Sequence, residues 1–169
     1  MANRVQDSVI MIRIFPAESP SNLTQVRVLF EEYGAEWPGP DLDGDGFAKE
    51  LTDLSSTYGP PHGRLLVALC DDQPAGCIAL RKLSDGVGEV KRLYVKPEFR
   101  NAGIGRRLVE AVLEEARGIG FSRVLLDTTR AMERARALYS SVGFVETQRY
   151  HDKERREDAV FMALELSRE

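Results

Sequence analysis

Glu89-Val90-Lys91-Arg92-Leu93-Tyr94-Val95-Lys96-Pro97-Glu98-Phe99-Arg100-Asn101-Ala102-Gly103-Ile104-Gly105-Arg106-Arg107-Leu108 reads as a strand that feeds a glycine turn opening directly into a helix. Glu89, Lys91, Leu93 and Val95 alternate with Val90, Arg92 and Tyr94 through a β-branched and aromatic stretch, and Pro97 removes a donor and ends the ladder. Leu108, Val109, Val112, Leu113 and Ala116 then recur at helical spacing, with Arg106, Arg107, Glu110 and Glu114 on other faces, and the helix is expected to stop near Gly118. The start of such a helix leaves backbone N–H groups without partners at the positive end of its dipole, which makes it a seat for phosphate. Gly103 and Gly105 carry no Cβ, so oxygens can approach the backbone, and Arg100 and Arg106 add cationic donors suited to them.

Other phosphate loops fit less well. No Gly-Lys dipeptide occurs, which removes a Walker A reading, and Leu108 stands near the place of a dinucleotide fingerprint's third glycine. Taken alone, the stretch also reads as an ordinary strand-turn-helix whose glycines serve packing. A second segment bears on the choice. Ala135, Leu138, Tyr139 and Val142 recur at i, i+3, i+4 and i+7, an amphipathic helix over 132–142 closed by Gly143, after which Phe144-Val145-Glu146-Thr147 resumes as a strand. By itself Tyr139 there reads as one more core aromatic.

The first segment resembles the cofactor-binding motif of the GNAT superfamily of acyl-CoA N-acyltransferases, Q/R-x-x-G-x-G/A, with Arg100, Gly103 and Gly105 at its fixed positions. Ala137-Leu138-Tyr139-Ser140-Ser141-Val142-Gly143-Phe144 is similar to the second motif of that family and follows in the right order. The resemblance implies one acetyltransferase domain over 1–169: an α/β (α+β) fold with a mixed, partly parallel central sheet flanked by about four helices. It implies acetyl-CoA as cosubstrate, with its pyrophosphate on the N–H groups of Asn101, Ala102, Gly103, Ile104, Gly105 and Arg106. Leu93, Tyr94 and Val95 would pair with the pantetheine arm, an N–H near Leu93 or Tyr94 polarising the thioester carbonyl. The acetyl group would pass directly to a primary amine in a ternary complex, without a cysteine intermediate.

Proton handling is assigned by the same likeness. Tyr139 would protonate the departing thiolate. Glu89, eleven residues before Arg100, would be a general base acting through water. The alternative for Glu89, a solvated strand-end residue or a partner of Arg92 or Lys91, stays open, because a base is recognised by geometry. Met132 stands where many members of the family carry an asparagine that bonds the pantetheine. A non-catalytic acyl-CoA sensor or scaffold of the same fold is the second reading, and a nucleotide-phosphate binder a distant third.

The chain around these motifs has 169 residues, 43% apolar and 30% charged, enough for one domain with a substantial core. A formal charge of −4 argues against a general nucleic-acid binder and mildly favours a cationic amine. Val9-Ile10-Met11-Ile12 is broken by Arg13 before it could form a signal-peptide core, and no apolar run spans a bilayer, so a cytoplasmic protein free of the membrane is expected. A homodimer is one expected form, and the acceptor amine is not identified by any motif.

The remaining elements are expected as strand 11–15, helices 22–33 and 47–54, strands 64–70 and 75–82 joined by Asp71-Asp72-Gln73-Pro74, strands 87–95 and 123–128, and strands near 144–148 and 159–166. Cys70 and Cys77 read as free buried thiols. Asp41-Leu42-Asp43-Gly44-Asp45-Gly46 matches half of an EF-hand loop, but Thr52 occupies the place of its bidentate glutamate, and it reads as a polar loop. His62 and His151 fit no metal-ligand spacing and read as surface residues, so no metal is expected. The charge run Lys153 to Asp158 and the loop Ser56 to Pro61 are the expected borders of the acceptor's entrance, by family likeness.

Overall fold

The computed structural model describes residues 9–37, 45–151 and 157–167. In chain order the elements are β1 (Ile12–Pro16), α1 (Pro20–Glu36), α2 (Asp45–Thr52), α3 (Leu54–Tyr58), β2 (Arg64–Cys70), β3 (Gln73–Ser84), β4 (Val87–Val95), a 3-10 turn (Pro97–Phe99), α4 (Ile104–Ile119), β5 (Arg123–Thr129), α5 (Glu133–Ser141), β6 (Val145–Thr147) and β7 (Ala159–Glu165). The strands form one mixed sheet in the order β1-β2-β3-β4-β5-β7-β6. Every neighbouring pair is antiparallel except β4 and β5.

Local chemistry explains the boundaries. Ser19 caps α1 by accepting from the Asn22 N–H at 3.1 Å, with Pro20 in the first turn where no donor is needed. The helix expected over 47–54 ends at Thr52, and part of the stretch after it that was expected as a loop forms the short α3, because Asp53 leaves helical geometry and accepts from the Ser56 N–H at 3.1 Å, capping α3. The β2–β3 hairpin turns on Asp71 and Asp72, both left-handed at φ 46° and 66°, as a tight two-residue hairpin requires. Helix α4 runs past Gly118 to Ile119, and Gly120, at φ 102°, closes it by donating to the Ala116 and Arg117 carbonyls.

The sheet separates two cores. On one face Leu66, Ile78, Leu80, Val90 and Val124 meet the apolar stripe of α4, Leu108, Val109, Val112 and Ala116. On the other, Val67, Cys77, Ala79 and Tyr94 meet Val26, Leu29 and Phe30 of α1 and Tyr58 of α3. Cys70 belongs to the first cluster and Cys77 to the second, so both are free buried thiols, and burial pushes the Cys77 thiol up. No helix among the described residues is long and apolar enough to cross a membrane.

The feature that makes a site is the incomplete β4–β5 pair. Its register covers only Val87↔Arg123, Gly88↔Val124 and Glu89↔Leu125, after which the two strands diverge. The second half of β4 keeps its β3 partner and has none on the other side among the described residues.

Candidate active site

The divergence opens a cleft of about 530 Å³. Leu93, Tyr94 and Val95 form its β4 wall, Phe99, Arg100, Asn101 and Gly103 its end, and Ile104, Gly105 and Arg106 its α4 side. Ala131 to Ala135 and Leu138, leading into and along α5, form the opposite wall. The structure therefore brings together nine of the ten residues expected to hold the cofactor; Ala102 is exposed in the same turn but does not line the cleft.

The glycine turn has the expected backbone. Asn101 and Gly103 are left-handed, at φ 66° and 77°, and Gly103 is the N-terminal cap of α4 without any side-chain cap, so the first N–H groups of the helix face the cleft end unshielded by a side chain. A Cβ at Gly105 would lie 3.2 Å from the Leu138 side chain and 3.9 Å from that of Val95, across the narrow floor between β4 and α5. Arg100 is less free than its motif suggested. Its Nε donates to the Val95 carbonyl at 2.9 Å and its terminal nitrogen to Glu36 of α1 at 2.7 Å, so it ties the end of β4 to the turn. Arg106 donates to Ser141 of α5 at 2.6 Å.

A bulge interrupts β4 at the head of this wall. Cys77 pairs with Tyr94 but Ala79 pairs with Lys91, leaving one extra residue on β4, and Arg92 takes a left-handed φ of 61°. Such a conformation costs a bulky residue about 1–3 kcal/mol. It is held by Glu50 of α2, whose carboxylate accepts from Arg92 twice at 3.0 Å and also from the Tyr58 hydroxyl, while Phe47 stacks under the guanidinium at 5.0 Å. Burial works against the Arg92 charge, but its bonds to Glu50 outweigh it and raise its pKa. Arg92 is thus the partner of Glu50 and not of Glu89.

Glu89 sits at the crotch of the fork, fully buried. One carboxylate oxygen accepts from Arg81 of β3 and the other from the Tyr150 hydroxyl, each at 2.7 Å. Burial alone would raise this carboxyl; Lys91, Arg81 and the Tyr150 hydrogen bond more than offset it and hold the pKa below the ordinary value. Tyr139 is also buried, at 7% exposure, packed edge-on against Phe144 at 5.7 Å, and it does not line the cleft. Burial, helped by Tyr33 and Asp127, pushes its hydroxyl up.

The sequence reading missed the groups beside Glu89. His151 is not a surface residue: its side chain is 14% exposed and its Nε2 lies 3.1 Å from Asp127 of β5. One ligand atom from each of Glu89, Asp127 and His151 falls within 4.8 Å of the others, a set that could hold a metal ion, which corrects the view that His151 has no acidic partners. Asp127 carried a signal, a carboxylate inside the apolar run Val124-Leu125-Leu126 and Thr128, on the face shared with Leu125 and hence with Glu89. His151 carried none, embedded in a charged stretch. His62 is exposed, as expected. Most of the calcium-like stretch and of the 153–158 charge run lie outside the described residues.

The family pattern described as Acetyltransferase (GNAT) family matches residues 26–144. An uncharacterized N-acetyltransferase of Schizosaccharomyces pombe is 36% identical over 159 residues, covering 93% of this chain and 96% of its own. An IAA acetyltransferase of Azospirillum brasilense is 40% identical over 100 residues, 59% of this chain and 65% of its own. Among solved structures, a GNAT-family acetyltransferase of Staphylococcus aureus superposes with a TM-score of 0.78 at 21% identity, covering 93% of this chain and all of that one. The PaiA N-acetyltransferase of Thermoplasma acidophilum, solved in complex with coenzyme A, superposes with a TM-score of 0.69 at 20% identity over 92% and 99% of the two chains; at these identities the likeness concerns the fold.

Proposed function

The chain belongs to the acetyltransferase (GNAT) family and is an acyl-transferring enzyme, and from that premise we propose that it moves an acetyl group from acetyl-CoA to a primary amine by direct transfer in a ternary complex. The observation that carries the proposal is the fork: β4 leaves β5 after Glu89, and the gap ends on the bare N-terminus of α4. A pantetheine arm is narrow, carries amides and ends in a diphosphate, and each part has a counterpart. Leu93, Tyr94 and Val95 offer backbone groups to the amides, and the N–H groups of residues 101–106 suit the diphosphate. The apolar floor of Val95, Ile104 and Leu138 suits the methylenes.

The bulge at Arg92 turns the backbone out of the β3 ladder where the thioester carbonyl would lie, which supports the Leu93 or Tyr94 N–H as the donor to the developing oxyanion. Met132 lines the cleft in place of the usual amide, and its sulfur accepts from the Thr128 hydroxyl at 3.5 Å. Tyr139 is retained as the proton donor to the departing sulfur. Its raised pKa keeps the hydroxyl neutral, so it meets a thiolate first as a hydrogen-bond donor. Glu89 fits better as the group that anchors Arg81 and Tyr150 at the fork than as the base itself, since both its oxygens are engaged and its basicity is lowered. The protein is proposed to act as one domain over 1–169.

The test is release of CoA thiol from acetyl-CoA across a panel of amines, with the acetylated product identified by mass. Transfer to one amine class is expected. Tight acetyl-CoA binding with no transfer to any amine would favour the sensor reading.

A further inference from the structure

Among the described residues, the one histidine ring that is mostly buried has a nitrogen with no partner. His151 Nδ1 is shielded from solvent and accepts from and donates to nothing, whereas Nε2 lies 3.1 Å from an Asp127 carboxylate oxygen. A carboxylate can only accept, so Nε2 carries the proton of the neutral ring and Nδ1 is left with its lone pair. The ring is fixed in position, edge-on to Tyr150 at 4.8 Å and to Phe161 of β7 at 5.3 Å. A buried polar atom without a partner is destabilising, and its persistence in an otherwise satisfied network points to a donor that arrives with a ligand.

We infer that His151 is the group that removes the proton from the acceptor amine, directly or through one water on Nδ1, and that Asp127 is the positioning residue that fixes its tautomer and balances the imidazolium. This rests on the acetyl-transfer reading above and adds the proton acceptor to it. The location supports it: Asp127 lies two residues beyond the last β4–β5 pair, on the arm of β5 that leads to Ala131 and Met132 of the cleft wall.

The acceptor ammonium gives one proton to Nδ1 and becomes a neutral amine. Its nitrogen attacks the thioester carbon, the C–N bond forms and the C–S bond breaks as the tetrahedral intermediate collapses. Tyr139 gives its proton to the sulfur and is restored by the second proton lost from the nitrogen. The imidazolium passes its proton to solvent, so one proton is released per acetyl group transferred.

The groups around the imidazole are Asp127 of β5, Glu89 of β4 with Arg81 and Lys91 around it, Tyr150 beside it, and Arg149 stacked over the Phe161 ring at 5.0 Å. The metal-site alternative is weaker, because Arg81 and Tyr150 already occupy both oxygens of Glu89.

The experiment compares the parent protein with His151→Gln, His151→Ala and Asp127→Asn, using the best amine of the panel. His151→Gln should lower kcat by roughly 10²-fold or more, with the acetyl-CoA dissociation constant and thermal midpoint little changed, and the loss should shrink as pH rises and the amine is already neutral. Added imidazole should restore part of the rate of His151→Ala, which a structural role would not allow. Asp127→Asn should lower kcat by less. A readout independent of turnover is the nitrogen NMR of the ring without acetyl-CoA, expected to show the proton on Nε2 in the parent and a mixture in Asp127→Asn. Parent-like kcat in His151→Gln, a proton on Nδ1 in the parent, or activity lost to a chelator and restored by zinc would each overturn the inference. Failure of the transferase reading is a separate result: the parent itself transfers to no amine, while the ring tautomer still tests the dyad.

Discussion

The two sides of the fork are built from different materials. The side proposed for the cofactor is backbone: a strand edge without a partner, a left-handed glycine turn and the bare start of α4, over an apolar floor. The other side, where His151 is inferred to meet the acceptor, is a set of buried and partly buried charged and polar side chains, Tyr58–Glu50–Arg92 behind the β4 wall, then Arg81–Glu89–Tyr150, then Asp127–His151. A cofactor common to many enzymes can be held by groups every residue possesses, provided glycine leaves room. An acceptor and its protons need specific functional groups, which come from five separate elements and the segment after β6.

Breaking the acceptor side should cost stability first. Glu50→Leu leaves Arg92 buried without its partner and should lower unfolding free energy by about 3–5 kcal/mol in a denaturant titration. A loss under about 1 kcal/mol would mean that the pair is decorative. Tyr139→Phe should act on turnover alone, lowering kcat by about 10²-fold where chemistry is limiting while the Michaelis constant for acetyl-CoA holds. Parent-like turnover would return Tyr139 to the core.

Glu89→Gln keeps size but loses a charged hydrogen-bond acceptor, at about 1.5–3 kcal/mol of stability near neutral pH. Because the folded-state pKa of Glu89 is lowered, its contribution is fully present above the unfolded glutamate value, about 4.3, and is lost as pH falls through the lower folded value. The difference in midpoint between parent and variant should therefore narrow below about pH 4; a constant difference down to pH 2 would contradict the lowered pKa. On the cofactor side, Gly103→Val forces a branched residue to a φ of 77° and should weaken CoA binding by about tenfold or more, read by calorimetry. The smallest effect belongs to Arg106→Gln, half-exposed and bonded to Ser141, which should weaken CoA binding only a few-fold, and less at high salt.

The same division explains what could be read from the sequence. Glycine spacing and an apolar helical stripe are local, so the β4-turn-α4 unit and the Tyr139 helix were legible to within a few residues, and the sheet followed from their order. Asp53 as a helix cap was also local and was passed over, so most of α3 was read as a loop. The acceptor network was not legible, because nothing near Glu50 in sequence announces Arg92, and nothing near Asp127 announces His151. Arg100, expected to face a phosphate, also bonds Val95 and Glu36, a contact set by the fold of α1 over the end of β4 that no local pattern announces.

The gap between β4 and β5 has one further consequence, for strand addition by a neighbouring chain. Unpaired strand edges invite other chains to add a strand and aggregate. Here the reactive edge is placed inside the sheet, between two strands joined at Glu89 and Leu125, while the rims of the sheet are β1 and the three-residue β6. An intruding strand would need about 4.8 Å of clearance on each side along its length, and a wedge that closes to a normal strand pair cannot give it. A thin, flexible chain with a few amides can enter where a polypeptide cannot, so the geometry proposed to admit the cofactor gives no room for a neighbour's backbone.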